Sequence, residues 1–365
     1  MKLVGLALVA FLAVSAGYLV FSGCTSKKGF TTQQIEVFNR WRKEFGKLYS
    51  TPSESQYRME VLLDNHDFVN KMNYEYNQAL LKAGRPPLQG PMFALMPWSD
   101  IAIEEFQKSY TGANLANQDH LEVTESDDSS TSTKYGNIAQ SSLGQSSFNP
   151  VIRQQGRCGS CWAFSAIATI EKHYWIYNGQ IVDFSQQQLV DCDLNNNGCN
   201  GGWMTTAISH IVQKGIAPDS QYLYTGERAG YCSIDQSYQI APAATTPKQM
   251  AFSAQKAIIG TKWGLSFGTG IAVSQAFYQL RAENDAFDVN LMNSAECNYQ
   301  INHAVNIIEA GTENIAGVSR TWVKLQNSWG INWGNQGFIK IYTCSDSAIW
   351  GSSSVLIHGA STVYL

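Results

Sequence analysis

The chain has 365 residues, 44% of them hydrophobic and 15% charged, with a formal net charge of −4. Such a composition excludes intrinsic disorder, and the absence of a basic excess excludes nucleic acid as the expected partner. The length accommodates two domains, or one with a substantial extra segment.

In chain order, residues 3–21 (LVGLALVAFLAVSAGYLVF) carry no charge after Lys2. A cleaved signal peptide is the first reading, since Val14, Ser15 and Ala16, or Phe21, Ser22 and Gly23, supply small-residue cut sites. The run also reaches the roughly 18 apolar residues that a retained anchor needs, and a membrane partner follows only in that case. Lipidation at Cys24 is a third reading. All three send the chain into the secretory route, where disulfides form.

Residues 30–110 read as amphipathic helices, beginning FTTQQIEVFNRWRKEFGKLY and SESQYRMEVLLDNHDFVNKMNYEY. Residues 111–147 are rich in Ser, Thr, Asn and Gly and carry the acidic tract ESDD at 125–128, which makes an exposed linker open to proteolysis.

Eight cysteines are present, of which Cys24 belongs to the targeting region. The remaining Cys158, Cys161, Cys192, Cys199, Cys232, Cys297 and Cys344 are odd in number, so an oxidising compartment leaves at least one thiol. Cys161 is the best candidate. CWAFSAIATIEKHYWIY has apolar residues at 162, 164, 167, 170, 174 and 177, which predicts a largely buried helix entered through Gly159 and Ser160. A thiol where such a helix begins meets unpaired N–H groups and the positive end of the dipole, which favour the thiolate. A redox dithiol of Cys158 and Cys161 would need a βαβ setting that the preceding residues do not supply. A four-sulfur zinc site with Cys192 and Cys199 would need a spacing wider than the usual two to four residues.

A thiolate nucleophile needs an imidazole partner. His66 and His120 precede this region. His173 lies about 18 Å along the same helix at about 1.5 Å per residue, too far to reach Cys161. His210 sits in the predicted helix WMTTAISHIVQK, and His358 in a Ser-rich end. His303, in the predicted strand QINHAVNIIEA, remains, and LQNSWG adds Asn327 flanked by Trp329 on a second predicted strand. The glycines of CNGG, Gly201 and Gly202, read either as a plain turn or as a place where a peptide backbone can approach and pair as an added strand.

QGRCGSCWAFS, CNGGWM, NHAV and QNSWG, in this order and spacing, resemble the papain and cathepsin L family of cysteine proteases. Cys161 and His303 stand 142 residues apart, within the window of about 130 to 150 that such a site leads one to expect. The resemblance implies Cys161 as nucleophile, His303 as base and later acid, Asn327 as the amide orienting the imidazole, and Gln155 as oxyanion donor. Trp329 would shield the Asn327–His303 hydrogen bond, while Gly201, Gly202, Trp203, Met204 and Ala304 would line the substrate groove, with a hydrophobic residue favoured two positions before the cut. It pairs Cys158 with Cys199, Cys192 with Cys232 and Cys297 with Cys344, leaving Cys161 free. It calls for no cofactor and no metal.

Further upstream, Glu54, Arg58, Leu62, Asn65, Val69 and Asn73 resemble the family's inhibitory propeptide signature. Ala94, Met96, Trp98 and Asp100 stand where a second motif is expected, and of that motif Asp100 remains. The resemblance thus implies an α+β fold: a papain-like two-lobe domain, with a helical left lobe, a β-barrel-like right lobe and the cleft between, preceded by an α-helical propeptide. The expected segments are 1–24 signal peptide or anchor, 25–110 inhibitory propeptide, 111–136 linker with the maturation site, and 137–365 peptidase. The expected function is a monomeric cysteine endopeptidase acting on proteins or peptides, made as a zymogen inhibited by its own propeptide, in a lysosome- or vacuole-type compartment or outside the cell. Two other functions stand beside it: a catalytically silent binding protein on the same fold, and a thiol oxidoreductase using Cys158 and Cys161. A peptide ligase would need only a nucleophile other than water to take the acyl group.

Overall fold

The protein is described from a computed structural model covering residues 29–113, 148–234, 246–250, 260–262, 265–281, 286–288, 291, 301–342 and 358–364. The targeting segment, the expected maturation site, Cys24, Cys297 and Cys344 lie outside these residues. Residues 1–55 and 56–365 form two compact units.

In the first unit, helix α1 (Thr32–Glu44) starts at a capping box: the Thr31 hydroxyl accepts from the Gln34 N–H while the Gln34 side chain accepts from the Thr31 N–H. That exchange satisfies two of the donors a helix start leaves open. Phe38 stacks on Tyr49 at 5.9 Å, with the Arg42 guanidinium 5.3 Å from each ring.

Helix α2 (Pro52–Lys82) is long, and its buried side includes Leu62, Asn65, Val69, Met72, Tyr76 and Leu80, the three- and four-residue spacing of one helical face. Arg58 forks onto Glu105 of helix α3 (Ile103–Tyr110) at 2.7 and 3.0 Å and donates to the Asp100 carbonyl at 3.1 Å. Asn65 donates to the Ser99 carbonyl, and Asn73 exchanges two hydrogen bonds with the Phe93 backbone. Arg58, Asn65 and Asn73 of the propeptide signature therefore tie α2 to α3 and to the non-helical chain between them.

That chain is docked in turn on residues 278–280 and 287–288. Phe93 bridges Leu280, the Trp98 indole donates to the Tyr278 carbonyl at 3.0 Å, and Arg85 pairs with buried Asp288 at 2.8 Å. Tyr76, Phe93 and Phe287 pack ring against ring at 5.7 to 6.1 Å.

Helix α4 (Cys161–Asn178) runs through a core of Trp162, Ile167, Ile170, Phe184, Leu189, Ile208 and Ile211, shared with α5 (Gln186–Cys192) and α6 (Met204–Lys214). Gly179, at positive φ, ends α4 as a left-handed cap should. A seven-stranded sheet packs against this helix. Its strands are β1 (Thr246–Met250), β2 (Phe267–Ile271), β3 (Phe287–Asp288), β4 (His303–Ile315), β5 (Val318–Gln326), β6 (Phe338–Tyr342) and β7 (His358–Tyr364), in the order β1-β7-β2-β4-β5-β6-β3. Only β3 and β6 run parallel. Strands β4 and β5 form a hairpin closed by Ala316 and Gly317, both at positive φ, as a two-residue turn matching strand twist requires. The short helix α7 (Gln275–Tyr278) follows β2.

Candidate active site

Cys161 is the first residue of α4 and the free cysteine among the described residues. The structure joins Cys158 to Cys199 and Cys192 to Cys232, so no dithiol forms between Cys158 and Cys161, and no metal-ligand cluster occurs among the described residues. The third expected bridge falls on undescribed residues.

His303 opens β4, and its Nε2 lies 2.8 Å from the Asn327 side-chain oxygen. An amide oxygen only accepts, so Nε2 carries the proton and Nδ1 holds the free lone pair. Nδ1 has no hydrogen-bond partner among the described residues. Trp329 stacks on the imidazole at 4.5 Å between centroids, covering it from water. Asn327 was expected on a strand, but it stands one residue beyond β5, where its N–H donates to the Gly337 carbonyl. That bond continues the β5–β6 register by one residue, and the side-chain oxygen also accepts from the Ser328 N–H at 2.8 Å.

The helix start and the sheet meet at the sulfur. The N–H groups of Ala304, Trp162, Gly112 and Cys161 itself face Sγ. Gln155 is fully buried; its Nε2 donates to the Tyr110 carbonyl at 3.1 Å and to the Cys158 carbonyl at 2.8 Å. Ser328 donates to Gln155 Oε1 at 2.6 Å and thereby sets which end of the amide faces the sulfur loop. The Tyr224 hydroxyl donates to the Gln155 carbonyl at 2.7 Å and takes a further 2.7 Å hydrogen bond from Ser160. Ser328, Tyr224 and Tyr110 were not among the expected site residues. Ser328 lies within QNSWG and Tyr224 within YLY, but the motifs do not reveal their roles, because each of the three acts through one atom on a partner 45 to 173 residues away.

Residues following α3 lie across this site. Gly112 and Ala113 donate to the Asn302 carbonyl at 2.8 and 2.9 Å, and the Gly112 carbonyl accepts from Gly202 N–H at 2.8 Å. Ala113 and Gly202 form a parallel bridge. A Cβ on Gly112 would stand 2.1 Å from the Gly159 carbonyl oxygen, so only glycine permits this approach. Ala113 packs in one cluster with Trp203, Met204, Ile301 and Ala304. The Trp329 indole donates to the Tyr110 carbonyl at 3.3 Å, while Phe106, Trp98 and Phe277 pack around its ring.

This cover reverses the ionisation expected at a helix start. Burial pushes the Cys161 thiol up to about 12, against the pull of the surrounding N–H groups. Burial likewise brings His303 down to about 4, opposed by its hydrogen bond to Asn327. Loss of water penalises either charge more than local dipoles repay, so the covered pair is thiol and neutral imidazole. Of the other histidines, His173 is buried in α4 with both ring nitrogens unpartnered among the described residues, and His210 of α6 lies 3.7 Å from Asp193.

Comparison with known proteins places this geometry. Residues 144–356 match the papain family cysteine proteases and residues 38–106 match the cathepsin propeptide inhibitor domain (I29). The senescence-specific cysteine protease SAG12 of Arabidopsis thaliana is 30% identical over 82% of each chain, and chymopapain of Carica papaya is 27% identical over 84% of this chain and 80% of its own. Digestive procathepsin L 3 from Tenebrio molitor larval midgut has a similar fold, with a TM-score of 0.68 at 21% identity, covering 92% of this chain and all of that one. A stem bromelain precursor gives 0.67 at 22% identity, over 91% of this chain and 99% of its own. The chain belongs to the papain family of cysteine proteases and carries that family's propeptide inhibitor domain.

Proposed function

We propose that the chain is the zymogen of an endopeptidase in which Cys161 attacks, His303 moves the proton, Asn327 orients the imidazole, and Gln155 with the Cys161 N–H receives the oxyanion. The reading is carried by one observation: His303 Nε2 is spent on Asn327 beneath Trp329, which leaves Nδ1 on the residue next to Ala304, whose own N–H faces the sulfur. With water admitted, the proton passes from Cys161 to Nδ1, since the cost of charge separation that burial imposes is gone. The thiolate adds to the peptide carbonyl. Imidazolium then protonates the departing amine; a water, deprotonated by His303, releases the acyl group and restores the thiol pair. Neutral Asn suits its place, because the thiolate already balances the imidazolium.

In the full chain Tyr110–Ala113 occupies the groove: the Tyr110 carbonyl takes the donor meant for the oxyanion, and the Gly112 carbonyl takes the Gly202 N–H. Residues 25–110 act as intramolecular inhibitor, cutting within 111–136 releases it, and 137–365 is the peptidase. Trp203, Met204 and Ala304, now packed on Ala113, favour a hydrophobic residue two positions before the scissile bond. The Cys158–Cys199 and Cys192–Cys232 disulfides accord with the secretory route and a lysosome-type or extracellular site. No helix among the described residues is long and apolar enough to cross a membrane.

The test is to label the processed protein with an epoxide that alkylates protease thiols and to follow cleavage of a peptide with Phe or Leu two residues before the bond. Label and cleavage are both expected to vanish in Cys161→Ala. Labelling at Cys158 would overturn the assignment in favour of redox chemistry, and cleavage surviving in Cys161→Ala would overturn it outright.

A further inference from the structure

The loop between α5 and α6 holds a buried carboxamide that takes no part in the chemistry above. Asn196 is 4% exposed. Its Oδ1 accepts from the Trp203 N–H at 2.7 Å and its Nδ2 donates to the Trp203 carbonyl at 3.3 Å, so one side chain engages both backbone groups of that residue. Nδ2 also donates to Asp193 Oδ2 at 2.7 Å. Asp193 is fully buried and accepts from the Asn195 N–H at 3.0 Å, which fixes the amide end that faces it.

The consequence falls on Gly202. With both polar groups of Trp203 turned inward onto Asn196, the Gly202 N–H next to them faces the groove, where it donates to the Gly112 carbonyl. A Cβ on Gly202 would stand 2.4 Å from Asn196 Oδ1 and 2.8 Å from the Trp162 ring. Glycine is therefore required at 202 by the approach of Asn196 from below, whereas at 201, with φ of 109° and the Gly112 oxygen 2.8 Å from a would-be Cβ, it is required by the peptide lying above. The two glycines of CNGG answer to opposite faces of the same short segment, a distinction the open choice between turn and docking strand did not contain.

We propose that Asn196 is a positioning residue for substrate: it holds Gly202–Trp203 in the extended register that offers the Gly202 N–H to the peptide residue two positions before the scissile bond. It touches no reacting atom. The inference rests on the reading of Gly202 as part of the substrate groove.

The test uses the full chain, processed by limited proteolysis, as wild type and Asn196→Ala. Two substrates are compared: a peptide with Phe two positions before the cut, and p-nitrophenyl acetate, an ester that has neither a residue there nor a carbonyl to take the Gly202 N–H. For the peptide, KM should rise about tenfold, the size of one hydrogen bond, with kcat changed less than about twofold. For the ester, kcat/KM should be unchanged, as should the rate of Cys161 alkylation by iodoacetamide. If Asn196→Ala does not fold, Asn196→Ser, which keeps an oxygen at the position, carries the same comparison with a smaller KM increase. An unchanged KM in an active enzyme overturns the inference alone, and so does a parallel fall in ester hydrolysis and alkylation, which would mark a general structural loss. A wild type that hydrolyses neither substrate overturns the groove reading together with it.

Discussion

Gln155 is spoken for on every side: Ser328 holds its oxygen, Tyr224 holds its backbone carbonyl, and its amide N–H groups already point at carbonyls. A donor fixed in this way costs nothing to orient when charge develops on a substrate oxygen, which is why such donors act on kcat more than on binding. Gln155→Ala in the processed enzyme should therefore lower kcat by about 10²- to 10³-fold and leave KM nearly unchanged. Steady-state kinetics on one peptide decides it; a KM effect with kcat intact would show that Gln155 binds ground-state substrate instead. Cys161, His303, Asn327 and Gln155 stand out in the sequence because each sits in a short local pattern. Ser328 shares the QNSWG pattern and Tyr224 the YLY one, but a role played through one hydrogen bond to a distant partner is not readable from the pattern.

Among the elements, α4 carries most of the arrangement. Its start holds the sulfur, while further along it buries Glu171, 4% exposed, against Arg153 at 3.0 and 2.7 Å. Glu171 also accepts from the Phe184 N–H at 2.9 Å. Arg153 belongs to the strand-like segment whose next residue bridges Trp329, and its carbonyl accepts from the Gly330 N–H, so the pair fastens the helix to the chain behind His303. Burial raises the Glu171 carboxyl, opposed by Arg153, and removing the cation alone would strand a charge. Arg153→Met should cost roughly 3 to 5 kcal/mol, whereas Arg153→Met with Glu171→Leu should recover most of it. Urea unfolding in a Cys161→Ala background measures both; equal losses in the single and double variants would show that packing rather than charge is at stake. The extent of α4 was legible from its unbroken apolar spacing; the helix ends one residue past the predicted pattern, at Asn178, and Gly179 caps it. Helix α5 was not foreseen: seven residues are too few to show a period, and the Ser185 hydroxyl accepting from Gln188 N–H does much of the defining. Asn327 was placed on a strand because it directly follows the apolar residues Val323 and Leu325 of β5, and its hydrogen bond to Gly337 extends the β5–β6 register one residue past the strand's end.

Across the whole molecule, the proposed inhibition by the propeptide works through solvent. The order of motifs along the chain made the two-part architecture legible, but not that the covering chain meets Gly202 in the parallel sense, because direction across a groove is a tertiary property. Nor was the inverted ionisation foreseeable: a helix start favours thiolate only while water is near enough to share the cost, and residues 110–113 remove it.

The most direct test of this account is the rate of Cys161 alkylation by iodoacetamide as a function of pH, in the full chain and in the processed chain, with the site read by peptide mass. In the full chain the thiol is held near 12 and the imidazole near 4, so alkylation should be very slow at pH 7 and still climbing at the most alkaline pH measured. In the processed chain the ion pair should keep the rate high and nearly flat from weakly acidic to neutral pH. Equal profiles for the two forms, or label on a cysteine other than Cys161 in both, would contradict it.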